Sequence, residues 1–183
     1  MGLNNNRRAS RAIYHVALVG MMAATLEVAK LVLAFLPNIE VVTLLCGLYG
    51  YVFGPWGILA TVVFVAIEPL IWGFGTWIIY YLIYWPLVAT VFFLLGKAKI
   101  RNRVLLTAVA LMLTLGYGVL SSLVDVGLFS GSYDRFWYRF SIYYVRGIWF
   151  YVAMLACNAI AFPLFFRPLA DTLTKLRARM PKA

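Results

Sequence analysis

The chain has 183 residues, of which 64% are hydrophobic and 12% charged, and its mean hydropathy is +0.91. Soluble domains carry about 25% charged residues, so this composition excludes a water-soluble enzyme. An apolar run of ~20 residues crosses a bilayer, and the length accommodates six such runs with short connections. The composition therefore predicts a single all-α integral membrane domain over residues 1–183.

Prolines, glycines and short polar runs divide the sequence into six predicted transmembrane helices. The first is too long for the apolar region of a cleaved signal peptide and contains Glu27 and Lys30, so we expect it to be retained. Spans two and three are alternatively one broken hairpin. The basic tail, residues 167–183, is predicted to hold a short surface helix. The predicted spans cover about residues 12–35, 39–53, 56–72, 76–95, 103–129 and 140–166.

The net charge of +10 is distributed very unevenly along these spans. With six spans both termini lie on one side, and twelve basic residues fall there, whereas the opposite loops hold only Arg135 and Arg139. The positive-inside rule then predicts that both termini of this multi-pass protein are cytoplasmic. The twelve are Arg7, Arg8, Arg11, Lys97, Lys99, Arg101, Arg103, Arg167, Lys175, Arg177, Arg179 and Lys182.

Motifs for several common chemistries are absent from the sequence. Cys46, Cys157 and the single histidine, His15, do not form a zinc-binding pattern, and we interpret both cysteines as small hydrophobic residues in packed helices. There is no phosphate-binding glycine loop, HExxH, CxxC or GxSxG motif. No basic patch with interleaved aromatic residues lies outside the membrane. We therefore expect neither enzymatic activity nor a metal, a cofactor or a nucleic-acid partner.

Polar residues concentrate in the predicted outer half of the membrane. Ionisable side chains at such depths are costly and are usually paired or face an aqueous cavity, and both interpretations stay open for each of them. Glu27 and Lys30 are three residues apart, so a pair on one helix is possible. The other polar residues of this half are Glu40, Glu68, Asp125, Arg139, Tyr143 and Arg146, of which the last three share a helix face.

Span four adds an aromatic stripe, and span one a stripe of small residues. Trp77, Tyr80, Tyr81, Tyr84 and Trp85 recur at helical spacing, which fits either an interfacial aromatic belt or the wall of a cavity. Together with the outer charges, the stripe favours a ligand pocket open to the outside. In span one, Ala17, Gly20 and Ala24 form a face that permits close helix approach, either inside the bundle or by a partner.

Four segments carry a resemblance over about residues 12 to 168. They are residues 17–24 (ALVGMMAA), 36–43 (LPNIEVVT), 49–54 (YGYVFG) and 68–77 (EPLIWGFGTW). The chain resembles the substrate-binding S-component of an energy-coupling-factor (ECF) vitamin importer, and segment 68–77 is similar to the branch that handles cobalamin. Residues 17–24 are similar to the AxxxA docking helix of that family, with Gly20 in place of the first alanine.

The resemblance implies an ABC-type importer subunit that binds vitamin B12 (cobalamin) outside, as transported substrate rather than cofactor. It implies as partners a membrane coupling protein, the T-component, and two ATPases that would hydrolyse ATP. The docking residues would be Ala17, Gly20 and Ala24. The substrate-binding residues would be Glu27, Lys30, Asn38, Glu40, Glu68, Trp72, Trp77, Tyr80, Tyr81, Tyr84, Asp125, Arg139, Tyr143 and Arg146.

Two alternatives stay open at this point. One is an S-component for another vitamin such as riboflavin, which would use the same aromatic residues. The other is a self-sufficient small carrier or channel, which would transport substrate without any partner. A membrane enzyme acting on lipid is disfavoured because no catalytic constellation is present.

Overall fold

A computed structural model describes residues 2–36, 39–131 and 133–179, with side chains from residue 12 onward. The described chain is helical and contains no strand. Its helices are α1 (Gly2–Leu33), α2 (Val42–Phe53), α3 (Pro55–Trp72), α4 (Trp77–Lys97), α5 (Arg103–Phe129), α6 (Phe136–Ala161) and α7 (Arg167–Arg179), with a π-helical turn, Phe162–Phe166, joining α6 to α7.

Five stretches of the described chain are long and apolar enough to cross a membrane. The prediction of an all-α, multi-pass membrane bundle is therefore confirmed. The side on which the termini lie stays a prediction, because it depends on the charge distribution alone. The five stretches are Ala12–Leu33, Pro55–Trp72, Trp77–Lys97, Arg103–Phe129 and Phe136–Arg179.

The second predicted span is a short core helix. α2 has 12 residues, and at 1.5 Å per residue it is about 18 Å long, well short of the ~30 Å hydrocarbon core. Ten of its residues are buried, including Cys46 with no exposed area. α2 therefore lies inside the bundle, surrounded by other helices.

Glycine allows α2 to pack closely against its neighbours. A Cβ atom on Gly50 would lie far closer to the Ala89 carbonyl oxygen on α4 than van der Waals contact allows, and one on Gly57 would collide with the Tyr49 carbonyl. Gly54 between α2 and α3 has φ +61°, a left-handed value that glycine adopts without strain. The chain then turns directly into α3, with Pro55 in its first turn.

We expect Gly50→Ala to destabilise the bundle by about 1–3 kcal/mol, the usual cost of overpacking a core. The matched control is Gly20→Ala on α1, where an added Cβ meets no atom within 4 Å. Thermal unfolding followed by circular dichroism in detergent would measure both variants. A melting temperature of Gly50→Ala equal to that of Gly20→Ala would contradict the close approach of α2 and α4.

Polar contacts join several helix ends at one end of the bundle. The Tyr51 hydroxyl donates to the Ile100 carbonyl between α4 and α5 at 2.9 Å, and the Arg177 guanidinium of α7 donates to the Val52 carbonyl. We call this the basic end, because the described basic residues of α7 and of the α4–α5 link lie there. Lys30 and Trp72 belong to the opposite end, which we call the outer end after the side on which the sequence predicts it to lie.

Candidate functional site

A cavity of about 260 Å³ lies at the outer end of the bundle. It is bounded by the ends of α1 and α3, the segment before α2, and α4, α5 and α6. Trp72 at its edge is 47% exposed, so the cavity reaches the surface. Its lining consists of Lys30, Leu33, Ala34, Leu36, Ile39, Glu40, Val42, Trp72, Tyr81, Trp85, Tyr117 and Met154.

Lys30 on α1 supplies the positive charge of this cavity. Its ammonium forms an ion pair with Glu68 on α3. The same nitrogen lies 5.0 Å from the ring centroid of Tyr81, 5.4 Å from that of Trp72 and 5.8 Å from that of Trp77. Such distances allow cation–π attraction, so the three rings and one carboxylate fix the charge at the cavity wall.

The ion pair differs from the one considered from the sequence. Spacing on α1 suggested Glu27 as the partner of Lys30, whereas the ammonium reaches across to Glu68 on the neighbouring helix. Glu68 is fully buried and Glu27 is 7% exposed. The two carboxyl groups lie within hydrogen-bonding reach of each other. We call them the carboxyl pair; neither lines the cavity, and both lie behind Lys30.

Glu40 lines the cavity but is already engaged by protein donors. Its carboxylate accepts hydrogen bonds from the Thr43 backbone N–H at 2.7 Å, the Thr43 hydroxyl at 2.5 Å and the Asn158 side-chain amide at 3.0 Å. The Cys157 thiol donates to the Glu40 carbonyl at 3.0 Å. Glu40 therefore stabilises the first turn of α2 and holds α6 against it, besides giving the cavity a negative charge.

The predicted aromatic stripe divides between the cavity wall and the core. Tyr81 and Trp85 line the cavity together with Tyr117 of α5, and the Tyr81 and Trp85 rings meet edge to face at 5.5 Å. Tyr84 is 1% exposed and packs behind them, 4.9 Å from Tyr117. Tyr80 lies beside Tyr81 and Tyr117 and does not line the cavity. The stripe is therefore more than an interfacial belt.

The predicted binding residues of α6 lie away from the cavity. Arg139 donates to the Ser130 carbonyl at 3.0 Å, and Tyr143 and Arg146 are exposed. Met154 is the α6 residue that lines the cavity, and it lies eight residues, or about 12 Å, further along the helix than Arg146. The outer end of α6 thus extends past the cavity.

Asp125 does not line the cavity either. Asp125 on α5 is half-buried near Tyr80, behind the aromatic wall. Asn38 falls outside the described residues. The predicted set is thus only partly assembled: Lys30, Glu40, Trp72 and Tyr81 line the cavity, Trp77 faces Lys30, and the carboxyl pair backs it.

Eight cavity residues were not predicted from the sequence as binding residues. Five of them are small or aliphatic (Leu33, Ala34, Leu36, Ile39 and Val42), and the other three are Trp85, Tyr117 and Met154. Trp85 belongs to the aromatic stripe and could have been included with it. Tyr117 is followed by Gly118, where an added Cβ would lie 2.7 Å from the Tyr151 ring, so a glycine beside a tyrosine was the available sign of close packing on this part of α5. Met154 carries no such signal, because its environment depends on how α6 is rotated.

The three predicted docking residues of α1 do not pack inside the bundle. Ala17, Gly20 and Ala24 are all exposed, and no other atom lies near the position of a Cβ on Gly20. Gly20 borders an apolar groove of about 490 Å³ between α1 and α3, which also includes His15 stacked on Trp56. Of the two interpretations of this stripe, internal packing within the described chain is wrong.

The chain matches no protein-family model, no curated protein and no solved structure. Within residues 2–36, 39–131 and 133–179, no group of three or more His, Cys, Asp or Glu side chains is placed to hold a metal ion. The molecule is a small polytopic helical membrane protein, and its described residues form a polar, aromatic cavity at the outer end.

Proposed function

We propose that this protein is the substrate-binding subunit of an ECF-type importer, located in a prokaryotic cell membrane. The observation that carries the proposal is the outer cavity, where aromatic rings surround one lysine and one glutamate. Binding sites for small molecules combine apolar and aromatic walls with a few placed polar groups. No ATP-binding loop is present in the sequence, so ATP hydrolysis would be the work of partner ATPases.

Cobalamin is the proposed ligand, on the resemblance of segment 68–77. Tyr81, Trp85 and Tyr117 offer rings to a flat conjugated ligand, and Lys30 offers a charged donor to a polar group on its rim. Drug-sized ligands occupy about 300–1,000 Å³, so a cavity of about 260 Å³ would take one edge of a corrinoid. The rest of the ring would lie over Trp72. The same volume favours a smaller flat vitamin such as riboflavin as the alternative ligand.

Association with a membrane coupling protein is supported by the exposed face of α1. Small residues let a second helix approach closely in a bilayer, and Ala17, Gly20 and Ala24 leave that approach open. The groove beside Gly20 is almost entirely apolar, as a helix of another membrane protein would require. Two ABC-type ATPases acting through the coupling protein would then complete the importer.

A bulky side chain on the small face is the test of this function. We expect Gly20→Trp to lower cobalamin uptake by cells at least several-fold, because the indole blocks the approach of the coupling protein. Cobalamin binding to the purified variant should be unchanged, since Gly20 is far from the cavity. The matched control is Met21→Trp, on the adjacent exposed face of the same turn, which should retain uptake.

Three results would contradict the proposal in different ways. Equal loss in both tryptophan variants would show that the small face has no special role. Loss of binding together with uptake would show that residue 20 packs against the rest of the bundle and is not free to receive a partner. Cobalamin flux into liposomes that contain this chain alone would favour a self-sufficient carrier.

A further inference from the structure

Two carboxyl groups and one ammonium share a buried site between α1 and α3. Lys30 pairs with Glu68, and Glu27 lies beside Glu68 on the far side from the cavity. With both carboxyl groups ionised, this site would carry one uncompensated negative charge in the outer half of the membrane. An uncompensated buried charge is strongly destabilising, and two adjacent carboxylates repel each other strongly. A further positive charge is needed there.

The hydrogen bonding of the carboxyl pair also indicates that a positive charge is missing. Both oxygens of Glu27 and the Oε1 atom of Glu68 are buried and have no hydrogen-bond donor among the described residues. Buried polar atoms are nearly always satisfied in folded proteins. A proton on one carboxyl group would turn it into a donor to the other and satisfy both at once.

The surrounding helices offer no other positive charge. α4 presents the neutral Tyr81, which interacts with Glu68, and α2 presents the neutral Tyr49 near Thr25 of α1. Glu40, ahead of α2, adds a negative charge on the side of Tyr81. Among the described residues, Lys30 is therefore the one cation that faces the pair, and its charge is already balanced by that of Glu68.

We propose that Glu27 and Glu68 form a binding site for one exchangeable proton, which the two carboxyl groups share at neutral pH. A divalent metal ion fits the site poorly, because Mg²⁺ and Ca²⁺ require six or more oxygen ligands and the Lys30 ammonium would repel them. The bound proton makes the group of Glu27, Glu68 and Lys30 electrically neutral.

This site controls the charge that the cavity presents to a ligand. Lys30 belongs both to the cavity and to the proton-binding site, since its ammonium lines the cavity and binds Glu68. One proton on the pair leaves the three residues neutral, a second proton leaves a net positive charge at the cavity wall, and loss of the first leaves a net negative charge. The proton content of a buried pair thus sets the electrostatics of the cavity, whichever ligand it takes.

Infrared difference spectroscopy on the purified protein in lipid nanodiscs tests the site without any ligand. The C=O stretch of a protonated carboxyl group is distinct from that of a carboxylate and shifts in deuterated water. At neutral pH we expect the wild-type protein to show one such buried carboxyl band. Glu27→Gln should remove it, because Glu68 alone is matched by Lys30. Glu68→Gln should also remove it, because Lys30 can then pair with Glu27 three residues away.

We expect Lys30→Met to increase the intensity of the protonated-carboxyl band about twofold, because both carboxyl groups must then be neutral. Asp171→Asn is the control: this aspartate pairs with Arg101 at an exposed position, so the band should persist. Absence of the band from the wild-type protein, or its persistence in both glutamine variants, would overturn the proposal. The glutamine variants keep the size of the side chain, so retention of the fold is checked by gel filtration alone.

Discussion

Replacement of Lys30 by methionine should destabilise the folded bundle by about 3–5 kcal/mol, the usual cost of removing one partner of a buried ion pair. The Glu68 carboxylate is fully buried, and without Lys30 it has no cation to face. Methionine has a similar length and fills the same space, so the loss reports charge rather than packing. The midpoint of thermal unfolding in detergent is the measurement.

The companion variant Lys30→Met/Glu68→Gln separates charge from other effects. Removing the carboxylate together with the ammonium leaves one neutral site and a single glutamate, so most of the lost stability should return. Lys30→Met should also lose further stability as the pH rises, because its folded state must keep protons that the unfolded chain releases. A double variant as unstable as Lys30→Met would show that the ion pair is not the cause.

The sequence was sufficient to predict the helices but not the depth of each in the bundle. Prolines and glycines mark the helix ends well, as the start of α3 at Pro55 shows. The deep burial of α2 was not predictable, because an apolar run has the same composition whether lipid or protein surrounds it. Its length of 12 residues was the available signal, and Gly50 and Gly57 only acquire meaning once neighbouring helices are in place.

Residues of the cavity could be predicted on the helix that carries the aromatic stripe, but not on the other helices. Spacing placed Tyr81 on one face of α4 with its aromatic neighbours, and the cavity lies against that face. Spacing also grouped Arg139, Tyr143 and Arg146, but it gives neither the rotation of α6 nor the height at which the cavity ends. Partners across helices are equally hidden: Lys30 and Glu68 are 38 residues apart, and only packing brings them together.

Tyr81 is the side chain whose loss should weaken ligand binding most. It belongs to the cavity wall, contacts Trp77, Trp85 and Tyr117, and lies 5.0 Å below the Lys30 ammonium. Tyr81→Ala removes a ring from the wall and releases Lys30 from one of its three aromatic neighbours. We expect cobalamin to bind this variant about 10- to 100-fold more weakly, equivalent to about 1.4–2.8 kcal/mol.

Isothermal titration calorimetry with purified protein measures this effect, and α6 supplies the control. Tyr143→Ala removes the same side chain from an exposed position outside the cavity, so its affinity for cobalamin should equal that of the wild type. Arg146→Ala should also bind normally, because Arg146 lies about 12 Å along α6 from the Met154 contact. Equal weakening by Tyr81→Ala and Tyr143→Ala would place the ligand outside the cavity. If riboflavin binds in place of cobalamin and its affinity depends on Tyr81 in the same way, the ligand is riboflavin and the cavity is still the binding site. The reason is that a flat vitamin needs the same aromatic wall.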